Sequence, residues 1–315
     1  MLIKDLRHFI LQENNKKDDT FTFNYINLNV YNNCIFDKYL KSKIMKKHLI
    51  AGIFAVGLVY SCATNPITGK KSLNFVSNSA LFPTSFQQYG TFLKENKVIT
   101  GTADARKVET VGLRIKAAAE KYLTYLGQSQ YLQDYRWEYK LIDNKEVNAW
   151  CMPGGKIVVY SGILPITKDD SGLATVIGHE VSHALANHGA QRMSAAQLQQ
   201  LGAVGVAVAT GGKSAENQQI WQQAYGVTTQ YGAMLPFSRN HETEADKIGL
   251  TLMAIAGYNP EQSITFWQRM SAQSAGQAPP EFMSTHPSDA TRIANLNALI
   301  PEAKALAAKV GITRR

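Results

Sequence analysis

Cysteine is scarce in this chain: Cys34, Cys62 and Cys151 are the only three among 315 residues. The first two belong to the N-terminal segment discussed below. That leaves Cys151 for the folded part, where it reads as a small buried hydrophobe. One thiol cannot close an internal disulfide, so an oxidising compartment is neither required nor contradicted. Long apolar runs are missing as well. A transmembrane helix needs about 20 apolar residues, and the stretch from Leu49 to Tyr60 supplies only about a dozen. An integral membrane protein with several spans is thereby excluded. Charge of one sign is modest. Residues 1–61 hold 9 basic and 5 acidic side chains, so the formal +9 of the whole chain falls to about +5 without them. No Lys/Arg stripe or stacking aromatics accompany that charge, and nucleic acid is not an expected partner. Internal repeats are also lacking, so a helical-repeat adaptor is not expected within these 315 residues.

The N-terminus carries an address. Met45-Lys46-Lys47-His48 forms a basic start, Leu49 to Tyr60 an apolar core, and Val59-Tyr60-Ser61-Cys62 resembles a bacterial lipobox. The expected outcome is cleavage before Cys62 and lipidation of that cysteine. Ala63 is not an inner-membrane retention acid, which favours the outer membrane facing the periplasm. Residues 1–44 lack apolar periodicity and precede a complete signal. They read as an extension created by a start assigned too early, or else as a real cytoplasmic segment. The expected organisation is therefore an extension over 1–44, a signal peptide over 45–61 and one domain over 62–315.

The densest chemistry lies in His179-Glu180-Val181-Ser182-His183. Residues four apart share a helical face, so both imidazoles can reach one ion. Glu180 is turned off that axis, where it can take a proton from a water activated by the metal. The setting supports a helix: Asp169-Asp170-Ser171 offers capping oxygens, and Leu173, Val176, Ile177 and Leu185 recur at helical spacing. His188-Gly189 is expected to end it.

Catalytic zinc usually takes three protein ligands, so two histidines leave the site short. The HExxHxxGxxH continuation is absent, because Ala186 and Gly189 stand where it needs Gly and His. The segment Ser238 to Gly249 offers a carboxylate instead. Glu242 and Asp246 are four apart and share a face; one can bind the metal while the other orients a ligand histidine.

HExxH followed by SRxxExEADxxG resembles the zinc metallopeptidases of peptidase family M48, which include the CAAX prenyl proteases, the HtpX proteases and a mitochondrial quality-control protease. Two further blocks carry the likeness: Asn148-Ala149 with Pro153-Gly154-Gly155, and His286-Pro287 with Arg292 six residues after the histidine. The resemblance covers roughly residues 75–300 and is nearest to a soluble, lipid-anchored periplasmic branch. It implies one Zn2+ per chain held by His179, His183 and Glu242, with Glu180 as general base. Asp246 would hold a ligand histidine. His286 would stabilise the oxyanion or cap the metal at rest, with Arg292 supporting it by charge. Asn148 and Ala149 would line the substrate cleft. His188 and His241 read as structural or solvated.

Lys156 to Tyr160 is β-branched and aromatic between turn residues, and is expected at a sheet edge beside the metal helix. Such an edge can hold an extended polypeptide through its backbone. Leu81 to Lys140 should be mostly helical. The Gln/Ala/Gly-rich stretch from Ala195 to Gly212 should form a helix over the cleft or a lid hinged at Gly211-Gly212. Helices over Pro260–Ser271 and Ala290–Val310 should follow, with a loop over Ser274–Pro280. The expected fold is α+β and zincin-like: mainly helical, with a small mixed β-sheet and an HExxH active-site helix. The expected activity is zinc-dependent endopeptidase action on unfolded or damaged envelope proteins. A non-catalytic chaperone or assembly factor on the same fold is the alternative, and the intact Glu180 argues against it.

Overall fold

The computed structural model of the protein describes residues 62–273, 280–287 and 290–312. The expected extension over 1–44, the signal peptide over 45–61 and nearly all of the loop over 274–280 lie outside those residues. Strands β1 (Cys62–Thr64) and β2 (Lys71–Leu73) form an antiparallel hairpin. Helix α1 (Asn78–Glu95), strand β3 (Val98–Ile99) and helix α2 (Ala103–Tyr125) follow, then strands β4 (Glu138–Ile142), β5 (Ala149–Met152) and β6 (Lys156–Tyr160). The remainder is helical: α3 (Leu164–Thr167), α4 (Asp170–Leu185), α5 (His188–Thr210), α6 (Ala215–Thr229), α7 (Leu235–Ile255), α8 (Gln262–Ala272), α9 (Glu281–Thr285) and α10 (Ala290–Ile312). None of these helices is long and apolar enough to cross a membrane.

The main sheet runs β3-β4-β6-β5, with β4 and β6 parallel and the other two pairings antiparallel. This corrects the expected edge. Lys156–Tyr160 lies inside the sheet, and the strand at the border beside α4 is Ala149–Met152. The physical reason is cover on both faces. Ile157 and Val159 point into the main core, whereas Val158 and Tyr160 pack beneath Tyr89 and Phe92 of α1. A strand buried on both faces needs an unbroken apolar run rather than alternation. Gly154 and Gly155 turn β5 into β6 at φ +85° and +86°, a region that side chains disfavour.

Helix α4 threads the centre of the molecule. Asp169 caps it by accepting from the Gly172 amide at 2.8 Å, and every residue from Leu173 to Leu185 is buried. The helix stops earlier than expected. Asn187 takes the left-handed conformation at φ 57°, a common way to end a helix, and His188 opens α5 instead of closing α4. The stretch from Ala195 to Gly212 is helical, ends at Gly211 and turns back as α6. Leu201, Val204, Val208, Ile220 and Trp221 stay exposed on that helical hairpin.

Helix α7 crosses α4 at the metal motif with no side chain between them. A methyl group placed on Gly249 would meet the His179 amide nitrogen at 3.1 Å, and one on Gly178 would meet the Gly249 carbonyl oxygen at 3.3 Å. The glycine that ends the SRxxExEADxxG block thus serves close backbone approach.

Candidate metal centre

Two helices and one short loop bring four ligating side chains together. His179 and His183 point from one face of α4, Glu242 from the facing turn of α7, and His286 from the residue after α9. His179 Nε2 lies 3.0 Å from His183 Nε2 and 3.2 Å from Glu242 Oε2. His183 Nε2 lies 3.3 Å from Glu242 Oε1. His286 Nδ1 completes the cluster at 2.9 Å from Glu242 Oε2 and 3.1 Å from His179 Nε2.

These residues fit zinc. A tetrahedral ion with bonds of about 2.0–2.1 Å sets its ligand atoms about 3.3 Å apart, close to the separations found here. The electrostatics pull the same way. Burial would raise the Glu242 carboxyl, but hydrogen bonds from His179, His183 and His286 hold it far below the usual carboxylate range. Burial likewise opposes the Asp246 carboxylate, and the Arg292 charge and the His179 bond keep it ionised. For His179, burial works downward; bonds to Asp246 and Glu242 outweigh it and lift the imidazole to about 9. The pocket therefore attracts positive charge, which a divalent cation supplies more strongly than a proton.

The other sequence candidates fall around this cluster. Glu180 is buried with Oε1 3.3 Å from His286 Nε2, and burial pushes its carboxyl upward against the pull of His286 and His179. Asp246 accepts from His179 Nδ1 at 2.9 Å. Arg292 donates to both Asp246 oxygens at 2.8 and 2.7 Å, and to the carbonyls of His286 and Pro287 at 3.2 and 2.9 Å. It thus ties the His286 loop to the carboxylate behind His179. Asn148 and Ala149 stand at the start of the border strand, with the Asn148 carbonyl accepting from the Tyr160 amide. Cys62 begins β1, and Cys151 is only half-buried rather than a core residue.

A match to the profile of peptidase family M48 extends over residues 113–300, more than half of the chain. The chain belongs to peptidase family M48. Similar proteins include the mitochondrial metalloendopeptidase OMA1 of Saccharomyces cerevisiae, 34% identical over 204 residues that cover 62% of this chain and 56% of that protein. The human mitochondrial metalloendopeptidase OMA1 is 28% identical over 285 residues, covering 82% and 51%. The beta-barrel assembly-enhancing protease of Escherichia coli is 32% identical over 165 residues, covering 50% and 33%. The chain thus spans about half the length of the mitochondrial relatives and a third of the bacterial one.

The structure also adds residues to the M48 site, and it buries His188 and His241 instead of leaving them to solvent. Trp267 of α8 is almost fully buried under the Arg292 guanidinium, 3.6 Å from ring centre to carbon, and edge-on to His179. His188 is fully buried with Nδ1 2.8 Å from His183 Nδ1 and Nε2 3.1 Å from Glu244 Oε2. His241 stacks on His188 at 4.0 Å. No spacing rule marks His188, since five residues on an unbroken helix would carry it off the face of His183.

Proposed function

We propose that the protein is a zinc-dependent metalloendopeptidase that hydrolyses extended segments of unfolded or damaged cell-envelope polypeptides. The observation that carries this reading is the convergence of His179, His183 and Glu242 with the buried Glu180 carboxylate beside a border strand. Zinc held by those three residues, one ion per chain, would polarise the scissile carbonyl and lower the pKa of water. Glu180 takes the proton of the attacking water and returns it to the leaving amine. Strand β5 receives the substrate by backbone pairing along its open edge, with Asn148 and Ala149 at one end. Backbone capture reads extended chain rather than side chains, which supports unfolded substrates. The likeness to a bacterial protease named for β-barrel assembly supports an envelope setting. Casein cleavage that a chelator abolishes and stoichiometric zinc restores is the test; cleavage indifferent to chelation overturns the reading.

His286 has two roles in this scheme. At rest its Nδ1 lies within the ligand cluster, and its helix is fastened beside the cleft by the Phe282 amide donating to the Val147 carbonyl at 3.1 Å. That arrangement supports a resting cap. Once the loop lifts, the imidazole is placed to stabilise the oxyanion. His286→Ala is expected to lower turnover roughly 10²–10³-fold; a gain in general proteolysis would instead make His286 a latch alone.

Anchoring at Cys62 belongs to the same proposal: a lipid-held enzyme on the outer membrane, facing the periplasm. Cys62→Ser in the native host should block lipid attachment and release the protein from membranes. Mass spectrometry of the mature N-terminus decides the matter. An unlipidated chain starting upstream of Cys62 overturns the anchor.

A further inference from the structure

Each ligand histidine has two ring nitrogens, and whatever holds the far one sets the direction of the other. For His179 the holder is a carboxylate, Asp246, at 2.9 Å. For His183 no carboxylate among the described residues bonds Nδ1. The bond there goes to a second imidazole, His188 Nδ1, at 2.8 Å, and His188 Nε2 continues to Glu244 Oε2 at 3.1 Å. Only one proton arrangement lets His183 turn a bare Nε2 toward a metal. His183 Nδ1–H donates to His188 Nδ1, which leaves His188 Nε2–H to donate to Glu244. The carboxylate at the end accepts and never has to donate.

The surroundings hold this chain of bonds in place. His188 is fully buried, stacked on His241 at 4.0 Å and 11°. His241 is fixed in turn by Gln191 Oε1 at 3.0 Å. The left-handed residue Asn187 breaks the helix between α4 and α5, and His188 meets His183 across that break. Burial keeps the His188 imidazole below its ordinary range. Glu244, although buried, is held at about 2 by its bond from His188 and the nearby Lys70.

We propose that His188, backed by Glu244, is the positioning residue of His183: an imidazole–carboxylate pair that fixes the ring and tautomer of the second metal ligand. The pair touches neither substrate nor the reacting atoms. Its effect is read in metal affinity. The proposal rests on the zinc reading above.

The test is zinc affinity by chelator competition, with the visible spectrum of the Co2+-loaded protein as a second readout. His188→Ala is expected to weaken zinc binding by roughly 10–100-fold, the usual cost of losing a partner behind a ligand, and to alter the cobalt spectrum. His188→Asn places an oxygen where Nδ1 was, so it should recover most of the affinity while losing the bond to Glu244. Glu244→Ala should weaken binding by less. The double variant His188→Ala/Glu244→Ala should be no weaker than His188→Ala alone, because both act through one chain of bonds. A purely packing role would lower the melting temperature of the metal-free protein and leave zinc affinity and the cobalt spectrum unchanged. Should His188→Ala fail to fold, His188→Asn and Glu244→Ala still decide. Wild-type affinity in Glu244→Ala together with weak binding in His188→Asn overturns the proposal. If the wild type itself binds no zinc, the metallopeptidase reading fails instead.

Discussion

Glu180→Gln is expected to keep its zinc and lose peptide hydrolysis by roughly 10²–10⁴-fold, the usual contribution of a positioned general base. The two halves of that expectation have different sources. Zinc retention follows from geometry, because Glu180 lies outside the set of atoms that converge between His179, His183 and Glu242. Loss of hydrolysis follows from chemistry, since an amide of the same shape cannot accept and return a proton. Glutamine fills the same buried volume, so the fold should not change. Zinc content and casein cleavage measured on one preparation give the answer. Full activity in the variant sinks the mechanism, and joint loss of zinc and activity would move Glu180 into the ligand set.

A comparable contrast separates Glu242 from Glu244. Two residues apart on α7, they point about 200° away from each other. Glu242 faces the metal histidines, whereas Glu244 faces His188 on the far side of His183. Glu242→Gln removes an ionised ligand and should cost more affinity than the roughly 10–100-fold typical of an outer partner. Glu244→Gln keeps an oxygen for the His188 N–H to donate to, and should hold zinc at near wild-type occupancy. Metal analysis after dialysis against a weak chelator distinguishes them. The opposite ranking would transfer the ligand assignment to Glu244.

Much of this site could be read from residue spacing because its parts are local. His179, Glu180 and His183 sit within two turns of one helix, and Glu242 and Asp246 repeat the same i, i+4 geometry on another. His286 follows the short helix α9 and Arg292 lies in the first turn of α10; neither stands in a pattern that marks it for chemistry, so only the family resemblance picked them out. His188 escaped for a different reason. Its role depends on one left-handed residue, Asn187, that breaks the helix, and local propensity does not reveal where a side chain points after such a break. Lys156–Tyr160 is an inner strand and not the expected edge, and the unbroken Ile157–Tyr160 run is what a strand covered on both faces requires. The position of α1 over that second face is a long-range fact. Trp267 looked like any apolar residue of α8, and its place beneath Arg292 depends on the docking of three separate helices.

The glycine contact between α4 and α7 bears on which ion the protein can choose. With Gly178 against Gly249, the distance between the two ligand-bearing helices is set by backbone touching backbone. Side chains larger than hydrogen at either position would push the two helices apart. That close approach brings the histidines of α4 within reach of the Glu242 carboxylate on α7. Calcium asks for six to eight oxygens at about 2.3–2.6 Å, whereas three of the four ligating side chains here are imidazoles. Selectivity against calcium would follow from that donor set, and two residues without side chains let the helices that carry it come together.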